Sequence, residues 1–459
     1  MKRLLLSFSL IVFQFSFSSA QTWKALGVGF KPNKYFSIYL PPINALAVYN
    51  GKLIAGGLFD SAGMVPANNI AQWNGASWDS LAQGVLPEPR CIGCMPEAVY
   101  CESIYQGNLV VGGAIYVFDT VSYMSGIVQW NGANWDSLGA GINFSYGTVY
   151  AQQIYNGSLY VGGNFATAGG KTAYGIAQWN GTNWDTVSTP SAITTIYALA
   201  VYNGELYAAG VFDSIGHIHA KNIAKWNGTN WSSVGKGIDS AVYCLTVYNG
   251  NLYAGGAFDS AGGVLANNIA QWNGSTWRSF GGGMNNTVVT LYVDDSILVA
   301  GGSFTMAGSI NAHCIAFWNG TSWDSLGAGM NGPVFALCNY AGGLCAGGLF
   351  SKAGNISANN IAEWTGPLGI NNIKSNNLDI TAYPNPNNGQ FTIQSSGING
   401  QESVDIYNVL GARIYSGMLK QVQHDYEINL SAQPAGVYLY RVLAEDGSLL
   451  GEGKLIIQK

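Results

Sequence analysis

Side chains that titrate, bind metals or attack a substrate are scarce in this sequence. Of its 459 residues, 9% are charged and four are histidine, where an ordinary globular chain is about 25% charged. Two of the histidines, His217 and His219, stand in GHIHAK. A His-x-His pair can grip a transition metal, but no third ligand follows at a recognisable spacing. Asp60, Asp119, Asp213 and Asp259 recur at one place in a repeated phrase, where three other copies have Ala166, Thr305 and Ser351. A ring of carboxylates holds calcium when oxygen ligands are dense around it. No such density surrounds these, and turn-capping aspartates fit better. No Ser/His/Asp order, HExxH or phosphate loop occurs, and the repeated carboxylates nominate no acid–base pair. No catalytic residue, metal or cofactor is therefore expected. Residues outside the repetition are more informative, because a repetitive scaffold builds a site by breaking its own symmetry. Two long links between repeats, 31–43 and 86–97, hold Tyr35, Tyr39, Glu88, Arg90 and Glu97. These five form the candidate ligand-binding set; the alternative is that they are ordinary loop insertions.

The elements that would position such residues begin after an export signal. Lys2 and Arg3 precede an apolar run from Leu4 to Phe17, then Ser18-Ser19-Ala20, the charged, apolar, small-residue order of a signal peptide. The run, about 14 residues, falls short of the ~20 that span a bilayer. No later segment is long enough either, so no transmembrane segment is expected and the mature chain starts at Gln21. The net charge of −5 and the lack of any basic run exclude nucleic acid as a partner. Abundant glycine, tyrosine and tryptophan predict short strands and tight turns.

Seven cysteines in an exported chain predict disulfides with one thiol to spare. A two-residue turn at Ala341-Gly342 sets Cys338 opposite Cys345. That is a hydrogen-bonded site with Cα atoms ~5.5 Å apart, within disulfide range. Cys91, Cys94 and Cys101 cluster at the second long link, where a staple from Cys91 or Cys94 to Cys101 is expected. Cys244 and Cys314 read as buried lone thiols.

A repeat dominates residues 22–366. Tryptophans at 73, 130, 179, 226, 272, 318 and 364 each open a WNG-like turn. One unit, Val242 to Met284, divides into four strands, VYCLTVYN, LYAGGAF, IAQWNG and TWRSFGGGM. Asn249-Gly250 between two apolar runs is a hairpin signal. Four strands in some 46 residues is the size of one propeller blade. The first three strands occur seven times, but a fourth follows only six of them. The seventh copy is TWKALGVG, Thr22 to Gly29, at the other end. The start of the mature chain is thus predicted to complete the last sheet, with Trp23 beside Trp364, and to remove an exposed edge. The fourteen tryptophans divide evenly between third and fourth strands and read as scaffold, since each buries on the order of 200 Å². Some of the outer-strand rings are expected to be partly exposed at the rim. Glycine doublets after the second strand, from Gly56-Gly57 to Gly347-Gly348, are expected to allow close backbone approach.

A glycine doublet followed by two spaced aromatics resembles the kelch propeller repeat. The phrase GGxF…ANNIAxWNGxxWxSLGxG is also similar to propeller repeats of fungal cortical-marker proteins and bacterial secreted proteins. Both resemblances imply an all-β, seven-bladed propeller over residues 21–368. After a polar linker, 369–377, alternation over 378–459 predicts a small antiparallel, immunoglobulin-like sandwich of about seven strands. Here YPNPNNG (Tyr383, Pro384, Asn385, Pro386 through Gly389), IYNVLG (ending at Gly411), GVYLYRV (from Gly436, Val437 and Tyr438) and the terminal KLIIQK resemble a type A sorting domain of the type IX secretion system. That resemblance implies recognition by the secretion machinery and passage across the outer membrane of a Bacteroidota-type bacterium. It also implies tail removal, and release or attachment to the cell surface. Asp-Ser/Thr followed by an apolar residue resembles the O-glycosylation signal of such exported proteins. It marks Ser61, Ser80, Thr120, Ser137, Thr186, Ser214, Ser240, Ser260, Ser296 and Ser325. The function expected is non-catalytic binding or adhesion toward an extracellular glycan or protein; the alternative is a carbohydrate-active enzyme with its site on the long-loop face.

Overall fold

The computed structural model describes residues 22–31, 42–85, 98–118, 123–142, 147–187, 194–294, 296–365, 380–395, 402–408, 413–419, 425–444 and 449–459. The segment read as a signal peptide, 1–20, lies outside them. The described residues are all-β, and the chain divides into two units, Met1–Gly369 and Ile370–Lys459.

In the first unit the described residues form seven four-stranded antiparallel sheets. Six are built in chain order. The fifth is typical: Ala241–Tyr248, Asn251–Ala257, Ile269–Trp272 and Trp277–Ser279. Its first turn is tight because Asn249 and Gly250 both take positive φ, as a two-residue hairpin requires. The seventh sheet takes three strands from Val334–Tyr340, Gly343–Gly348 and Ile361–Thr365, and its fourth from Thr22–Ala25. Trp23 stands opposite Trp364 and Lys24 opposite Glu363. The first strand of each sheet packs beside that of the next, and that of the seventh beside that of the first.

Tryptophans occupy one register throughout. Trp73 faces Trp78, Trp130 faces Trp135, Trp179 faces Trp184, Trp226 faces Trp231, Trp272 faces Trp277 and Trp318 faces Trp323. With Trp23–Trp364, ring centroids lie 5.2–5.5 Å apart, the spacing of a favourable cross-strand aromatic pair. Several outer indoles also donate to the preceding sheet. Trp78 bonds the Leu26 carbonyl at 2.9 Å, Trp135 that of Leu81 at 3.1 Å, Trp184 that of Leu138 at 2.6 Å and Trp277 that of Val234 at 3.1 Å. Trp23 reaches Leu326 at 3.0 Å. The expected exposure of outer-strand rings is therefore corrected: all seven are buried, because each is wedged against its neighbour sheet. The half-buried ring is Trp318 of a third strand. Phe280 packs on it, centroids 4.4 Å apart, where other sheets place a smaller Leu or Val.

Each first strand also carries a β-bulge. In the first sheet Ile43 pairs with Gly57 and Ala45 with Gly56, leaving Asn44 unpaired. The glycine doublet answers this geometry. A Cβ on Gly57 would meet the Pro42 carbonyl at 2.1 Å, and one on Gly56 would meet Val99 of the next sheet at 2.3 Å. Only the second glycine of the doublet thus admits backbone; the first admits a neighbouring side chain.

The second unit has two antiparallel sheets among the described residues. One is Ile380–Tyr383, Gln390–Ser395 and Asp425–Asn429. The other is Arg413–Leu419, Glu402–Asn408, Gly436–Ala444 and Leu449–Ile457. Phe391, Ile393 and Ile428 of the first share a core with Val404, Ile406, Tyr440, Val442 and Leu455 of the second.

Removing the Trp23 ring deletes a buried aromatic, a cross-strand pair and an inter-sheet hydrogen bond together. Trp23→Ala is expected to cost about 3–5 kcal/mol, and Trp318→Ala clearly less because that ring is half-exposed. Urea unfolding of both variants measures this; equal losses would contradict it.

Candidate functional site

The loop candidates Tyr35, Tyr39, Glu88, Arg90 and Glu97 lie outside the described residues, as do Cys91, Cys94, Thr120 and Gly411. His217 and His219 are exposed on a two-residue hairpin arm, His219 opposite Ser214. Among the described residues no three His, Cys, Asp or Glu side chains gather as a metal site. The recurrent Asp position is used through its backbone. Asp60, Asp213 and Asp259 accept from Ala67, Ala220 and Ala266, and Ala166, Thr305 and Ser351 make the same bond to Ala173, Ala312 and Ala358. Any residue type serves there. The loop is locked instead by an asparagine. Asn69, buried and with φ of 60°, accepts from the Phe59 amide at 3.1 Å and donates to the Val85 carbonyl at 3.2 Å. Asn222 repeats this against Phe212 and Ile238.

Cys338 stands opposite Cys345 in the expected register, but both are thiols here rather than a disulfide. Both are buried, and the Cys345 thiol is pushed up chiefly by its hydrogen bond with Cys338 and by burial. Cys101 lies within a first strand, and its thiol donates to the Val149 carbonyl of the next sheet at 3.8 Å. Burial holds that thiol, and that of Cys244, well above the usual range. Cys314 is buried as a lone thiol.

The residues with the clearest asymmetry are the seven that the ladder register skips at the bulges: Asn44, Tyr100, Tyr150, Tyr197, Tyr243, Val289 and Phe335. A bulge re-aims its side chain out of the ladder. Here four consecutive sheets turn tyrosines toward one another. Tyr100 meets Tyr150 at 5.2 Å, Tyr150 meets Tyr197 at 5.1 Å and Tyr197 meets Tyr243 at 5.2 Å, with interplanar angles of 51–62°. All seven bulge residues are half-buried. Burial raises the phenols of Tyr100, Tyr150 and Tyr197, Tyr100 to about 12 with a lesser push from Tyr150. They are neutral hydrogen-bonding groups at any physiological pH. In the sequence these residues read as ordinary strand. The signal is VY or IY opening four successive repeats and no others.

Beside the arc the seams turn polar. The position filled by Leu46, Leu199, Leu245, Leu291 and Leu337 elsewhere is Glu102 in the second sheet and Gln152 in the third. Both Glu102 carboxyl oxygens are shut from solvent with no hydrogen-bond partner, against Gly56 of the first sheet. Burial pushes this carboxyl up to about 8. Gln152 accepts from the Ser103 hydroxyl, while its Nε2 has no partner.

In the second unit the YPNPNNG segment is tied to the last strand. Asn385 donates to the Lys454 carbonyl at 2.7 Å and accepts from the Ile456 amide at 2.8 Å. The Asn387 amide donates to the Ile456 carbonyl at 2.9 Å, and its side chain accepts from Gly389 at 2.7 Å. Gly389 has φ of 97°, and a Cβ there would meet Ser431 at 2.6 Å. Tyr383, Pro384 and Pro386 are exposed, as are Gly436 and Val437. Tyr438 is buried, its hydroxyl donating to Pro434 at 2.8 Å. This latch, made from the quoted motifs, coincides with a known family. Residues 381–458 match the secretion system C-terminal sorting domain.

The tail makes this a type IX export substrate of Bacteroidota type, secreted or attached to the outer surface after the tail is cleaved. A search among curated proteins finds no match. Solved structures similar to the chain include PorZ, a surface component of the type IX secretion system of Porphyromonas gingivalis. It is 12% identical, with 91% of this chain and 75% of that one covered, at a TM-score of 0.35. A fungal alcohol oxidase of the AA5 family in complex with copper is 11% identical, with 96% and 100% covered, at 0.41. The extracellular domain of a putative hybrid two-component system from B. thetaiotaomicron is 12% identical, with 91% and 69% covered, at 0.29. These likenesses are too loose to assign an activity.

Glu102 gives a pH-dependent prediction. Its folded value, about 8, exceeds the ordinary 4.5, so the native chain loses stability as pH rises between those values and levels off above. Glu102→Leu, which restores the residue of the other repeats, should raise the thermal midpoint, with the gain wider near pH 8 than near pH 5. A gain that shrinks with rising pH, or a less stable variant at pH 8, would contradict it.

Proposed function

We propose that the seven sheets are the blades of a β-propeller, kelch-like in its glycine doublets, closed by the strand that follows signal-peptide removal. We further propose that it works outside the cell as a non-catalytic binding or adhesion module for a glycan or protein. The domain limits are those drawn from the sequence: signal peptide 1–20, propeller 21–368, linker 369–377 and sorting domain 378–459. The observation that carries the reading is the aromatic arc. Where the third and fourth strands repeat almost residue for residue, four tyrosines occupy consecutive first-strand bulges and three unlike residues occupy the rest. A scaffold requirement acts equally on all seven sheets; a ligand does not.

The full chain, immobilised and offered an array of extracellular glycans and surface proteins, should retain a restricted subset. Retention of nothing, or of everything in proportion to charge, would count against the reading. The Asp-Ser/Thr sites bear on surface chemistry. Ser61, Ser80, Ser137, Ser214, Ser260 and Ser325 are half-buried, and Thr186, Ser240 and Ser296 exposed, so all keep some access to solvent. We propose them as O-glycan acceptors and Cys338–Cys345 as a disulfide formed during export. Intact mass of the protein from a secreting host should show hexose-sized increments, and non-reducing peptide maps a 338–345 crosslink. A bare mass or two alkylated thiols would overturn these points.

A further inference from the structure

We infer that the tyrosine arc is a stacking platform for a neutral saccharide, an inference that rests on the binding-module reading above. Four observations support that ligand class. First, the seven bulge positions hold four Tyr, one Phe, one Val and one Asn and no charged side chain, so an ionic ligand finds no counter-charge. A nucleic acid strand, which also stacks on aromatics, needs a basic groove as well. Second, the four rings are half-buried, and burial raises the phenols of Tyr100, Tyr150 and Tyr197. Each offers an apolar face and a hydrogen-bonding edge on a side chain with little rotamer freedom. A sugar presents the matching pair of surfaces, C–H groups on its ring faces and hydroxyls around its rim.

Third, the rings repeat at 5.1–5.2 Å, close to the length of one pyranose unit, so successive units of one chain could each meet a successive ring. Fourth, the arc has defined ends. Asn44 lies beyond Tyr100 and donates through Nδ2 to the Val99 carbonyl at 3.1 Å. Val289 lies beyond Tyr243. The arc therefore accommodates a short segment of glycan rather than encircling it.

The test is isothermal titration and saturation-transfer NMR on the full chain with cellohexaose, xylohexaose, mannohexaose and maltohexaose. The inference expects at least one to bind, with affinity unchanged between about 50 and 500 mM salt. Tyr150→Ala and Tyr197→Ala should each weaken it about tenfold or more, and Tyr150→Phe by less. Because the alanine variants remove packing as well, Val289→Tyr supplies a gain. It adds a fifth ring beside Tyr243 and should tighten binding several-fold. Full affinity in both alanine variants, or no change in Val289→Tyr, overturns the arc as the site while leaving the module reading intact. Salt-sensitive binding confined to charged glycans or to proteins of the array overturns the neutral-sugar assignment alone. No binding to any oligosaccharide or array member overturns both.

Discussion

The indole of Trp23 links two ends of the chain. It lies against Trp364 with centroids 5.2 Å apart and donates to the Leu326 carbonyl of the sixth sheet. Leu26, three residues on, accepts from Trp78 of the first sheet. One short strand thus completes the seventh sheet and bonds both of its neighbours. Without it, Ile361–Thr365 would present a bare edge of unpaired amides, and two of the repeated indole-to-carbonyl bonds would be lost with it. Elsewhere the same contact is made between sheets adjacent in sequence. Here alone it spans more than 300 residues. Residues 22–25 therefore cannot take their place in the seventh sheet until Ile361–Thr365 has been made.

Repetition settles the scaffold, and departures from it mark where function can reside. The departures are concentrated. Tyrosines fill the bulges of the second to fifth sheets, and polar residues replace leucine in the second and third. A further exchange sits at the sixth and seventh. Tyrosines 105, 155 and 202 each bond the next sheet's turn glycine, but the sixth sheet has Asp294 at that place, and the seventh answers with Asn339 at 2.8 Å. This pair is compensated within itself, which is how a structural exchange looks. Glu102 is not compensated, and a buried carboxyl without donors is costly. It lies two residues from Tyr100, on the strand that begins the arc.

The sheet order, the hairpin turns and the facing tryptophans were legible in the sequence, because each rests on a local rule. Asn-Gly sets a two-residue turn, a four-residue loop brings two tryptophans opposite, and a missing fourth strand at one end matches an extra one at the other. The sorting tail was legible for another reason, since YPNPNNG uses specific side chains to bond the last strand. The bulges were not legible. A bulge adds one residue without changing the apolar pattern, so Tyr150 reads as one more alternating strand position. The burial of the outer tryptophans was also misjudged, because it depends on the neighbouring sheet rather than on the strand itself. The long-link residues, selected by the same criterion of asymmetry, lie outside the described residues.

Placing Cys at two positions that face each other across the closing pair measures the central contact directly. Lys24 and Glu363 are cross-strand partners with their charged ends 3.6 Å apart. In a Lys24→Cys/Glu363→Cys chain, mild oxidation should give an intramolecular 24–363 crosslink, read by non-reducing mass spectrometry of the monomer. Crosslinks only between separate molecules, or two free thiols at these positions after oxidation, would mean that the first strand does not close the seventh sheet.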